Sequence, residues 1–258
     1  VDLRLRGLDL TVQRAADGTW SVRGLPGQQQ EGADPFAALE RLGELQIIGG
    51  RLRVQAPSLG IDATVPRIDL RLRVEGDRVR SGMRAWMRTN AAPLSATLDF
   101  DRKRGNGRGY AGAKNADLAA WTPLLHVMGV EVQSGRGRAQ AWLELRDHRV
   151  ASMTVDTLLD AVALRGAPLR DESGVRTPQA QFGHVEMLAR LRQDPQGWRF
   201  DAPRLRIESG GSKQTLDGLL LGGGARYGLR AEHVDAAPLL AAAALSDRMD
   251  AGLRRWIL

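Results

Sequence analysis

In several segments between Arg51 and Arg146 apolar side chains recur at every second position, and a period of two fits a pleated strand, where successive residues point to opposite faces. Leu52, Val54 and Ala56 alternate with Arg51, Arg53 and Gln55, and Ile68, Leu70, Leu72 and Val74 alternate with Arg67, Asp69, Arg71, Arg73 and Glu75. Leu94, Ala96, Leu98 and Phe100 alternate with Ser95, Thr97, Asp99 and Asp101, while Ala139, Ala141, Leu143 and Leu145 face away from Arg138, Gln140, Glu144 and Arg146. Such strands bury one face and leave the other in water. The fold class expected is mainly β.

Turn signals at Gly49-Gly50, Ala56 to Gly60, Gly76-Asp77 and Asn106-Gly107 separate the strands. Connections this short favour antiparallel hairpins, Asn-Gly being a type I′ dipeptide. In the first strand Leu3 and Leu5 sit at odd positions but Leu8, Leu10 and Val12 at even ones, which predicts a bulge near Gly7. Two or three short helices interrupt the sheet. One starts at Asp34-Pro35 and runs through Phe36, Leu39 and Leu42 to Gly43; one runs from Asp117 through Trp121, Leu124, Leu125 and Met128 to Gly129; one runs from Asp235 towards Met249.

The stretch from Ala113 to Leu118 followed by Pro123-Leu124-Leu125 is echoed from Ala231 to Ala236 followed by Pro238-Leu239-Leu240. A second echo joins the Asp17-Gly18-Thr19-Trp20 turn to Gln196-Gly197-Trp198. Residues 1–258 therefore read as one continuous segment with repeat units 1–129 and 130–258. The first residues already alternate and Arg254-Arg255-Trp256-Ile257-Leu258 ends without a polar tail, so a piece of a longer protein is expected.

Composition narrows the chemistry. Without cysteine the chain has neither disulfides nor thiolate catalysis. Its net charge of +7 is spread along the strands and carried almost wholly by arginine, the lysines being Lys103, Lys114 and Lys213. His126, His148, His184 and His233 stand singly, away from any metal-ligand spacing. The glycine-rich pieces Gly105 to Gly109 and Gly222 to Gly224 match no phosphate-binding loop and read as hairpin turns. Asp99 and Asp101 share one strand face next to Arg102-Lys103-Arg104 and read as solvated charge. No RNP-type aromatic motif accompanies that basic cluster. We expect no enzyme, no metal, no cofactor and no nucleic-acid partner.

The apolar rows need a cover, because a long exposed apolar face is unstable in water. A second sheet, a helix or a ligand would each serve. The expected lining of that face is Leu52, Val54, Ile68, Leu70, Leu72, Val74, Met83, Met87, Leu94, Leu98, Phe100, Ala141, Leu143 and Leu145. An outer-membrane β-barrel shows similar alternation, although four Phe and two Tyr supply little for its aromatic girdles. An envelope scaffold that binds a protein through its sheet edges would use the same strands.

The Asp17-Gly18-x-Trp20-x-Val22 turn leading to Gly24-Leu25, the Gly49-Gly50-Arg51-Leu52 start and the Asp-x-x-Pro-Leu-Leu-like units resemble the YhdP family of AsmA-like proteins, over most of the chain. The resemblance implies an extended, twisted antiparallel sheet curled into an open hydrophobic groove, a β-taco. It also implies a periplasmic segment of a bridge-like protein that conducts phospholipid between inner and outer membrane. Its implied partners are phospholipid acyl chains and the inner membrane, reached through an anchor outside this chain.

Overall fold

The structure is a computed structural model that describes residues 2–18, 20–25, 39–41, 43–127, 129–171, 174–224, 227–232 and 236–258. It is mainly β, as expected. Among the described residues fifteen strands belong to one sheet, and its hydrogen-bonded order has two ends and does not close on itself. The chain divides into two compact units, residues 1–113 with 141–151 and residues 114–140 with 152–258.

Unit 1 contains β1 (Asp2–Arg6), β2 (Asp9–Arg14), β3 (Trp20–Arg23), β4 (Glu44–Ala56), β5 (Ile61–Glu75), β6 (Arg78–Trp86), β7 (Leu94–Asp101) and most of β8 (Asn106–Asp117). Its order is β3–β2–β4–β5–β6–β7–β8, with β1 also beside β4. From β4 onward, consecutive strands pair antiparallel. The wholly antiparallel expectation fails at the amino end, where β1 and β2 both pair with β4 in parallel. The chain between β3 and β4 is long enough to return to the same end of the sheet, and a parallel pair requires such a return.

The hairpin between β5 and β6 has Gly76-Asp77 as its two loop residues, with Gly76 at φ 56°. Between β4 and β5, Pro57–Leu59 forms a 3-10 turn closed by Gly60 at φ 71°. Two expected turns lie elsewhere. Gly49-Gly50 sits inside β4, and the loop between β7 and β8 is Arg102–Gly105 rather than Asn106-Gly107. Asp101 sets that loop: its carbonyl accepts from the Gly105 amide (2.8 Å) and its Oδ1 from the Arg104 amide (2.8 Å). Gly105 supplies the positive φ of 69°, and Asn106 is left to open β8.

The bulge expected at Gly7 is present and has counterparts on β4 beside it and on β5 beyond. Gly7 has φ 68° and Gly49 φ 64°. The Gly7 amide donates to the Ile48 carbonyl (3.2 Å) and the Arg51 amide to the Leu8 carbonyl (2.9 Å). On β5, Val65 and Ile68 are both buried with Pro66-Arg67 between them. The inward parity thus shifts at one level on three strands.

Unit 2 contains α1 (Leu118–Trp121), β9 (His126–Val127), much of β10 (Val130–Arg146) and β11 (Arg149–Arg165), the small ribbon β12 (Leu169–Asp171) and β13 (Gly174–Arg176), then β14 (Gln179–Asp194), β15 (Gly197–Ser209), β16 (Ser212–Gly224), β17 (Tyr227–Arg230), α2 (Ala236–Ala243) and α3 (Ala251–Ile257). Its sheet runs β11–β14–β15–β16–β17, all antiparallel. Gly222 to Gly224, read from sequence as a turn, lie within β16. The helix expected from Asp117 is shorter than its pattern: α1 passes into a 3-10 turn at Thr122–Leu124 and then into β9. Asp117 makes no capping hydrogen bond, and the Thr122 hydroxyl donates to the Val132 carbonyl (2.9 Å), tying the turn to β10. Residues 34–38, 42, 128 and 233–235 of the expected helices lie outside the described residues.

Candidate functional site

Register assembles the scattered alternating residues of unit 1 into rows, because opposed residues share a face. One row reads Leu5–Ile47–Leu70–Met83–Ala96–Ala111 and the next Leu3–Leu45–Leu72–Ser81–Leu98–Gly109. A third reads Val74–Val79–Phe100–Gly107. Beyond the bulges, Leu10 opposes Leu52 and Val12 opposes Val54. Leu143 joins the same face, since a Cβ on Gly109 would lie 3.5 Å from the Leu143 Cβ.

The expected lining residues divide into two groups. Ile68, Leu72 and Val74 are buried. Leu52, Val54, Leu70, Met83, Leu94, Leu98, Phe100, Ala141, Leu143 and Leu145 are half-buried strand residues, and Met87 is half-buried just past the end of β6. Part of the cover is local. The 3-10 turn Leu39–Arg41 packs on β5 with Leu39 buried, and Arg102 donates to Glu40 (2.6 Å) across the edge of that patch.

The opposite face of unit 1 is a lattice of charge. Arg78 grips Asp99 with two hydrogen bonds of 2.7 and 2.6 Å, Arg73 pairs with Glu75 at 2.7 Å, and Arg53 pairs with Asp62 at 3.4 Å. The Arg78 guanidinium holds the Asp99 carboxyl below its ordinary pKa, and Asp99 in turn raises that of Arg78. Arg67 stacks 4.5 Å over the Trp86 ring. Asp99 and Asp101 are thus engaged by an arginine and a turn respectively. His148 is 2.9 Å from the Arg102 carbonyl and His184 is 2.7 Å from Asp160, while His233 lies outside the described residues.

Unit 2 carries an apolar face that the sequence reading did not assemble. Met153–Leu191–Phe200–Leu221–Leu229 forms one row across five strands. A buried cluster of Leu159, Val162, Phe182, Leu205, Ile207 and Leu216 lies along the same face, covered in part by Leu118 of α1 and Ala242 of α2. The far row is open, with Met153 36% and Leu229 69% exposed. Alternation was visible at Val185, Met187, Ala189 and Leu191, but positive-φ residues such as Ala161 and Gly218 break its phase along the neighbouring strands.

A family model described as YhdP protein matches residues 1–257. The chain belongs to the YhdP protein family. YhdP proteins are envelope-associated. Neither a curated protein nor a solved structure matches the chain. Among the described residues no helix of this YhdP chain is long and apolar enough to cross a membrane.

Proposed function

We propose that this chain is a periplasmic stretch of a lipid bridge, along whose apolar strand faces phospholipid acyl chains pass between inner and outer membrane. The observation that carries the reading is the apolar face built from register-matched rows, half-buried at Leu70, Met83, Leu98 and Leu143, backed by an opposite face of paired charges. Aliphatic rows of this kind attract acyl chains through burial at about 25 cal/mol per Å², without directional contacts that would arrest movement. The role is conduction rather than catalysis, in a protein anchored to the inner membrane. Family membership supports the same reading.

Photo-crosslinking with a reactive amino acid at Leu98 or Phe200, compared with Thr97 or Arg206 on the opposite face, is the direct test. Phospholipid adducts confined to the first pair are expected. Adducts to protein alone would favour an envelope scaffold instead.

A further inference from the structure

The polar face of unit 2 is balanced along most of its length. Asp160 lies 2.7 Å from His184, Glu186 accepts from Arg204 (2.8 Å) and Arg206 (3.0 Å), and Asp156 accepts from Arg138 (3.2 Å). Two consecutive rows depart from that pattern. They read Thr154–Arg190–Asp201–Leu220–Arg230 and Ser152–Arg192–Arg199–Gly222–Gly228.

Four guanidinium groups there meet one carboxylate, Asp201, which holds Arg199 at 2.9 Å. Arg190, Arg192 and Arg230 have no hydrogen-bond or ion partner among the described residues. Arg192 stands directly opposite Arg199, and like charges so placed repel. A concavity of about 480 Å³ lies among Thr154, Leu188, Arg190, Arg192, Arg199 and Asp201. The backbone opens it. Leu188 opposes Arg204 while Arg190 opposes Asp201, so β15 carries an extra residue at Ala202-Pro203. Gly222 and Gly228 continue the arginine row without side chains to fill the space.

We propose that this cluster is a phosphate-binding site. Guanidinium forks match phosphate oxygens in bidentate geometry, and the Thr154 and Ser152 hydroxyls supply neutral donors beside them. A bound phosphate relieves the repulsion between Arg192 and Arg199 and satisfies Arg190, with Arg230 adding long-range attraction. Asp201 orients Arg199 and leaves the cluster positive. The site lies on the face opposite the apolar rows, so it stands or falls independently of acyl-chain conduction. Its ligand is either a free phosphate or the headgroup phosphate of a lipid.

The test is calorimetric titration of the 258-residue chain with inorganic phosphate, with glycerol 1-phosphate, and with dihexanoyl-phosphatidylglycerol below its micellar concentration. Saturable binding is expected, weakened at least about tenfold in the R190Q/R192Q double variant. The R204Q/R206Q variant removes equal charge from the same face and should change affinity less than about twofold. Similar affinity for all three probes identifies a free phosphate as ligand, and markedly tighter binding of the lipid identifies a headgroup. No saturable binding of any probe, or equal loss in the two double variants, overturns the proposal. Should R190Q/R192Q fail to fold by circular dichroism, R192Q alone against R206Q alone provides the same charge-matched comparison.

Discussion

Gly50 is pressed against Ile47: a Cβ built on Gly50 would lie 2.7 Å from the Ile47 Cγ2 and equally close to the Leu8 carbonyl oxygen. The absent side chain lets β4 shift its parity while β2 stays hydrogen-bonded alongside. Gly50→Ala should therefore destabilise the protein by about 1–3 kcal/mol, because one neighbour in the clash is backbone. Gly82→Ala, with nothing within 4 Å of its Cβ, should stay within about 0.5 kcal/mol of the parent. Urea denaturation midpoints at constant m-value decide both.

Leu98 and Leu143 are half-buried on the apolar face, and Thr97 lies on the other. Leu98→Asp and Leu143→Asp should each reduce copurifying phospholipid, measured by mass spectrometry of extracts, with the far-ultraviolet circular dichroism unchanged. Thr97→Asp should leave lipid content as it was. Equal lipid loss in all three variants would argue that the face makes no distinction.

Thr157 is buried on the apolar face of unit 2, opposite Met187, and its hydroxyl finds no hydrogen-bond partner among the described residues. Thr157→Val keeps the shape and removes an unsatisfied polar group. It should stabilise unit 2 by about 1–2 kcal/mol, seen as a raised Tm.

Arg254 of α3 is buried, donating from Nε to the Ala244 carbonyl (2.8 Å) and from Nη2 to the Ala167 carbonyl (2.6 Å). Arg254→Met should cost about 1–3 kcal/mol by orphaning both acceptors. Arg254→Lys should recover less than half of that, since a single ammonium lacks the fork that spans the two carbonyls. Denaturant titration with a tryptophan probe checks the order.

Asp99 and Glu186 are held below their ordinary pKa values chiefly by hydrogen bonds from Arg78 and Arg204 respectively. A depressed carboxyl pKa means that the unfolded chain binds protons first as pH falls. The associated stability is full above about pH 4.5 and is lost progressively below about pH 4, through the native pKa values. Both groups lie on the polar face, where solvent screens them, so the effect is small. The fall in Tm between pH 5 and pH 3 should be shallower in Asp99→Asn and Glu186→Gln than in the parent chain.

The sheet and the composition of its apolar face were legible because alternation survives wherever a strand is regular, as at Ile68 to Val74. Position within the pattern was less legible. Gly49-Gly50 has the chemistry of a turn, and only its fit against Leu8 and Ile47 makes it a bulge. Parallel pairing of β1 and β2 with β4 leaves no local mark, since it depends on where a distant return lands. The arginine rows of β14 and β15 were equally hidden: Arg190, Arg192 and Arg199 become neighbours only once register is known. The depth of Ile68, Leu72 and Val74 reflects packing over β5, which periodicity does not encode.

The parallel pairing of β2 with β4 also orders events in time. Glu75 meets Arg78 across a two-residue loop, whereas Asp9 meets Arg51 only after the intervening chain has gone out through β3 and come back. Closing a longer loop costs more entropy, and non-local pairs form later than local hairpins. Within this chain β1 and β2 are thus synthesised before β4 yet find their places only once β4 exists to receive them.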